Sequence, residues 1–470
     1  MIFSFRFPSL YLSKRTLLLF AATISTIFNM VLAQSEIFTP AGENTEQLKS
    51  LSAKFQQYYE DEIAALPSEN KKDLLGKYRD RWENVKEIFK SKEIYTSAPA
   101  QKYLDDLVAE IVKANPLLQT KNFHCYFSRS GIPNASYIGE GIILFNMGLF
   151  SRLDNESQAA FILCHELSHY YLRHNENSIA AYVTMMNSDE VQKQLHSIKR
   201  NEYGKRQELE KLIKGLAFNT RRHGRDHESQ ADSMAVEFMH NSRFDLHESL
   251  TTLALLDSID SDTLDMGVVL QKMFNAKEYP FQKKWIAKEE GLLGGHATLH
   301  SDTLLVDSLK THPDCKLRIQ NLEPLVKKYY NASASKNIVS PSKFTELKNT
   351  FQYEIVEYAF TSNNYAKSLQ YTIELLQTHP RDPYLIAQTG KILNGFYEAQ
   401  KNHTLNKVVE LPSPYFESNY NLLLQFIQNL YLGNFSSINY YFLKQYETTL
   451  SDYKLFKDNY NKSIQLHNNN

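Results

Sequence analysis

The sequence predicts an α+β fold, mainly helical, with one small antiparallel sheet and an all-helical C-terminal region. Three observations carry this expectation. Apolar residues recur every three or four positions from Glu36 to about Leu118 and again beyond Pro341. Only Phe123 to Phe145 has the texture of short strands, and a helical segment bearing His165-Glu166-Leu167-Ser168-His169 follows it. The 470 residues, 42% hydrophobic and 22% charged, suffice for two or three folded units and exclude a largely disordered chain. With 52 basic and 53 acidic residues the net charge is −1, so no overall field recruits nucleic acid, and none is expected as a partner.

The elements follow in order. Residues 1–33 place Arg6, Lys14 and Arg15 before the apolar run Leu17 to Val31 and end in Val31-Leu32-Ala33, the grammar of a secretory signal peptide. The expectation is therefore export, with an uncleaved, membrane-associated N-terminal segment as the alternative. Removing this segment takes the net charge from −1 to −4. No later stretch is apolar enough to span a bilayer, so no transmembrane bundle is expected. Residues 34–98 form an N-terminal helical segment with Leu48, Leu51, Phe55 and Tyr58 on one stripe; Tyr103, Leu104, Leu107, Ile111 and Val112 make a second stripe further on.

Strands are expected around Cys125-Tyr126-Phe127 and Ile142-Ile143-Leu144-Phe145, with turns near Gly131 to Asn134 and at Gly139 and Gly141. A helix then starts near Asp154 or Asn155 and continues past Arg173. The charged stretch Ser188 to Lys214 reads as a solvated helical pair, and another helix runs from about Asp226 to His240. Residues 258–307 have few apolar periods and are either a flap or a surface loop. The helical C-terminal region covers 342–470. Cys125, Cys164 and Cys315 are too few and too scattered for a disulfide scaffold, and Cys164 reads as a small buried helix residue.

On a helix, positions four apart differ by about 40° in azimuth, so His165 and His169 leave one face a turn apart and can share a metal ion. Glu166 flanks them, where it can take a proton from a water activated by that ion. A catalytic zinc site needs a third protein ligand. Leu172 and Asn175 stand where an extended HExxHxxGxxH motif would have Gly and His, and the expected direction of His174 is away from the pair. Glu228, 63 residues after His165, is the better candidate, with Asp232 four residues on and able to accept a hydrogen bond from a ligand imidazole. His223 and His227 are rivals for the third position.

These residues, together with Asn134-Ala135-Ser136, Gly148-Leu149, Glu156, Arg173-His174 and Thr311-His312-Pro313 followed by Arg318-Ile319, resemble the zinc metallopeptidase family typified by HtpX and the CAAX prenyl-protein endopeptidases. The resemblance spans about 100 to 325 and implies a zincin-type catalytic domain over 99–335. It implies one zinc per chain, held by His165, His169 and Glu228, with Glu166 as general base and Asp232 behind the ligands. His312 and Arg318 would face the reacting carbonyl, and Gly141, Ile142, Ile143 and Leu144 would form an edge strand to which an extended peptide adds.

Lacking a transmembrane bundle, the chain looks most like the exported, BepA-like branch, whose catalytic domain precedes tetratricopeptide helices. In the tail, Asn363-Asn364-Tyr365, Ser368, Leu369, Pro380 and Gly390 fit the roughly 34-residue spacing of such repeats, with generic helical hairpins as the alternative. The implied function is exported, periplasmic endopeptidase action on unfolded or misassembled proteins, with protein or peptide substrates and an envelope protein as partner of the tail. The competing class is a chaperone-like binding module with a latent or structural zinc site.

Overall fold

The computed structural model describes residues 37–200, 205–259, 264–287, 315–329 and 331–469. The signal-like segment and His312 therefore lie outside the described residues. The chain divides into two units, Met1–Thr39 and Pro40–Asn470. Of the first, only residues 37–39 are described, and they have no regular secondary structure.

The second unit opens with helices α1 (Thr45–Ala64), α2 (Lys71–Lys90) and α3 (Ala98–Ala114). The side chain of Asn44 caps α1 by accepting from the N–H of Gln47, and Pro99 sits in the first turn of α3, where its missing N–H costs nothing. Strands β1 (His124–Ser128), β2 (Ala135–Gly139) and β3 (Ile142–Asn146) follow. β2 and β3 form an antiparallel hairpin through Gly139-Glu140-Gly141, where φ is 105°, 49° and 72°. Glu140 accepts that left-handed backbone while its carboxylate is bound by Arg81 of α2 at 2.8 Å.

The strand order is β1-β3-β2, and β1 runs parallel to β3, so the sheet is mixed rather than antiparallel. Burial explains why β3 is apolar throughout. Ile142 and Leu144 pack with Phe55, Trp82 and Phe89 under the α1–α2 hairpin. Ile143 and Phe145 face the opposite way, into the main core with Phe127, Phe150 and Phe351. A strand covered on both faces has no polar alternation.

Helix α4 (Glu156–Tyr171) crosses the main core, and every residue from Glu156 to Ser168 is buried. Asn155 caps it through Gln158 N–H. It ends two residues before Arg173, which is left-handed at φ 56°, and α5 (His174–Met186) leaves in a new direction. The sequence expectation of one helix running past Arg173 is corrected here: no Gly or Pro marks the break. After a charged helix at Asp189–Arg200 comes α6 (Lys205–Asn241), followed by α7 (Glu248–Ser258) and α8 (Met266–Phe274). The described part of the expected flap, 264–287, lies against the C-terminal helices: Trp285 is fully buried, and Asn429 donates to the carbonyl of Ala287 at 2.9 Å.

Helices α9 (Cys315–Lys328), α10 (Pro341–Thr361), α11 (Tyr365–Thr378), α12 (Pro383–Lys401), α13 (Ser418–Asn429), α14 (Leu432–Lys444) and α15 (Lys454–Asn468) complete the chain. α10 belongs to the main core through Phe344, Leu347, Phe351 and Ile355. All three cysteines are buried thiols outside any disulfide. No described helix is long and apolar enough to cross a membrane.

One carboxylate fastens the start of α4 to the segment entering α10. Glu156 is fully buried and accepts from the N–H groups of Ile338, Val339 and Ser340 at 2.6, 2.7 and 2.7 Å, and from the hydroxyl of Tyr103 at 3.0 Å. Glu156→Gln would turn an amide donor toward a nest of donors. The expected cost is roughly 2–4 kcal/mol, read as a lower urea midpoint with unchanged slope.

Candidate metal centre

α4 and α6 supply the two halves of the site. They pack closely because Ala231 and Ala235 on α6 are small and fully buried. Tyr171 of α4 meets Phe238 of α6 edge-on at 6.2 Å, closing the contact at the far end. This brings Glu228 opposite the histidine pair. Nε2 of His165 and Nε2 of His169 are 3.0 Å apart, and each lies 3.4 Å from a carboxylate oxygen of Glu228.

Donors about 2.0–2.1 Å from a tetrahedral zinc are roughly 3.3–3.4 Å from one another. The triangle of 3.0, 3.4 and 3.4 Å therefore has the size of one face of such a site. Among the described residues these three form the group able to hold a metal ion. Two nitrogens and one carboxylate, with a cavity on the remaining side, match an open catalytic zinc site rather than a closed structural one.

Behind the triangle sits a buried ion pair. Asp232 receives a two-point fork from Arg318, Nε to Oδ2 and Nη2 to Oδ1, each 2.7 Å. Its Oδ1 is 3.0 Å from Nδ1 of His165, in contact although off the line of a straight hydrogen bond. Burial would raise the Asp232 carboxyl, but the Arg318 fork and His165 hold it below the usual carboxylate range. Arg318 also places Nη1 3.5 Å from Glu228. The guanidinium is thus engaged with the two acidic residues rather than presented as a free donor to a substrate carbonyl, because the α9–α6 contact buries it to 7% exposure.

Glu166 lines the same cavity, of about 360 Å³. Burial pushes its carboxyl above the usual carboxylate range, opposed by His169, His165 and the N–H of Tyr137. That N–H donates to Oε2 of Glu166 at 2.7 Å, so β2 itself orients the carboxylate. Asn134, Ala135, Ser136 and Tyr137 form one wall of the cavity, and Leu149, Phe161, Ile162 and Leu256 give it apolar surface.

The expectation that Gly141, Ile142, Ile143 and Leu144 offer a peptide-binding edge is corrected. β3 is the central strand, with β1 on one side and β2 on the other, and has no free edge. The edge strand on the cavity is β2. The misreading has a physical source: a continuous apolar run marks a strand covered on both faces, which is the strand least available for addition.

His174 is also corrected. A continuing helix would carry it away, but the left-handed turn at Arg173 swings it back, and its Nδ1 is 2.9 Å from Nδ1 of His169. Burial, with His169 and His227 beside it, lowers its pKa to about 4. His227 stacks on His174 at 4.2 Å and stands outside the metal triangle. His223 lies on α6, but its side chain is outside the description. Sequence reasoning missed Tyr137 and Gln230 as well; proximity to Asn134-Ala135-Ser136 and to Glu228 were the available signals.

A helical scaffold presenting two histidines and a glutamate to an open cavity, with a second buried glutamate beside them, defines a metallopeptidase. Residues 98–326, just under half of the chain, match the model of Peptidase family M48, which supports the metallopeptidase reading. A comparison with curated proteins finds no match.

Glu228→Ala removes one corner of the triangle. The expected outcome is loss of zinc from near one per chain, by elemental analysis of the purified protein. Unchanged stoichiometry would move the third ligand to His223 or His227.

Proposed function

We propose that the chain is an exported, zinc-dependent endopeptidase acting on unfolded or misassembled proteins. The observation that carries this reading is the presence of Glu166 in the cavity onto which the His165–His169–Glu228 triangle opens. A structural zinc site has no use for a second carboxylate, outside the ligand set, at its open side.

Zinc held by His165, His169 and Glu228 would supply Lewis acidity, polarising a peptide carbonyl and acidifying a water. Glu166 takes a proton from the attacking water and passes it to the leaving amine. Its N–H partner, Tyr137, keeps one oxygen fixed during that transfer. Asp232 and Arg318 hold His165 and Glu228 in place from behind. An extended substrate would lie along β2, the edge strand that lines the cavity, where backbone hydrogen bonds favour unfolded segments over a particular side-chain sequence. His312 is the candidate donor to the oxyanion.

Export rests on the signal-like residues 1–33, and a periplasmic role in envelope quality control rests on the resemblance to the BepA-like branch. The C-terminal helices α10–α15 would recruit or orient protein substrates, including an envelope partner, whether or not they form true tetratricopeptide repeats.

The test pairs zinc analysis with casein cleavage, comparing the mature protein with Glu166→Gln. Zinc near one per chain in both, with cleavage at least 100-fold faster in the wild type, is the expected result. Zinc with equal inactivity in both would favour a binding module. His312→Phe should keep its zinc and lose at least ten-fold in kcat; a wild-type rate would leave His312 without a part in the reaction.

A further inference from the structure

His174 belongs neither to the metal triangle nor to the proton-transfer machinery, yet it bridges the two helices that build the site. It is 4% exposed. Its Nδ1 meets Nδ1 of His169 on α4 at 2.9 Å, and its Nε2 meets Oε1 of Gln230 on α6 at 3.1 Å. Gln230 lies two residues beyond Glu228. The ring is stacked on His227 at 4.2 Å with an interplanar angle of 7°, so its plane is fixed.

The proton positions follow from the chemistry of the partners. An amide oxygen only accepts, so Nε2 of His174 carries a hydrogen and donates it to Gln230. Nδ1 of the same neutral ring is then a bare acceptor. At 2.9 Å from it, Nδ1 of His169 must donate. A neutral His169 that carries its hydrogen on Nδ1 has its lone pair on Nε2, the atom 3.0 Å from Nε2 of His165 and 3.4 Å from Glu228.

We infer that His174 is a positioning residue for a divalent transition-metal ion such as zinc: it holds His169 in the one tautomer and ring orientation that turn Nε2 toward the triangle. This inference rests on the metal-site reading above and adds to it. His165 has an acidic orienting partner in Asp232, whereas His169 has a neutral one. The left-handed residue Arg173 is what makes this available, because it reverses the direction in which His174 leaves α4.

The test measures zinc affinity on the full chain by competition with a chromophoric chelator, for wild type, His174→Phe, His174→Asn and Glu228→Gln. Phe keeps a ring against His227 but has no acceptor; Asn places an oxygen near the former Nδ1. The expected result is an affinity about 10–100-fold lower for His174→Phe, with His174→Asn recovering most of the loss. Equal affinity in wild type and His174→Phe, or equal loss in Phe and Asn, would overturn the role of His174 while leaving the metal site intact. A wild type that binds no more zinc than Glu228→Gln would instead remove the metal-site reading itself.

Discussion

The site depends on the close packing of α4 against α6. Three donor atoms, from residues 165, 169 and 228, must meet within a few tenths of an ångström, and only a fixed crossing of two rigid helices does that. Ala231 and Ala235 allow the approach, and the total burial of α4 from Glu156 to Ser168 holds it. The buried charged groups of these two helices each have a partner: Glu156 of α4 has the backbone N–H groups entering α10, and Asp232 of α6 has Arg318.

Around that helix pair the structure is layered by function. The α1–α2 hairpin covers one face of the sheet and, through Arg81, pins the turn that launches β3. The other face of the sheet, α4 and α10 share the main core. β2, at the sheet's edge, is left to line the cavity and to hold Glu166 by its own backbone. A small sheet thereby serves as core on two strands and as site wall on the third.

The second helix pair, α4 and α5, is joined by a break rather than by a loop. One left-handed residue converts the end of a buried helix into a corner, and the corner returns His174 to the site. Orienting groups thus stand behind both histidines, Asp232 behind His165 and His174 behind His169, as is usual for metal-binding imidazoles.

The sequence by itself determined the helical character, the strands at 123–145 and the pairing of His165 with His169, because helical period and i, i+4 spacing are local properties of the chain. Glu228 and Asp232 were legible for the same reason, one helical turn apart and chemically matched to the histidines. Only the tertiary structure decided which strand is the edge, since alternation disappears when both faces are covered and pairing order is a long-range property. It alone decided where His174 points, because a non-glycine residue can adopt φ 56° without any signature in the sequence. And it alone set Arg318 on Asp232, a contact across 86 positions that charge complementarity permits but spacing does not reveal.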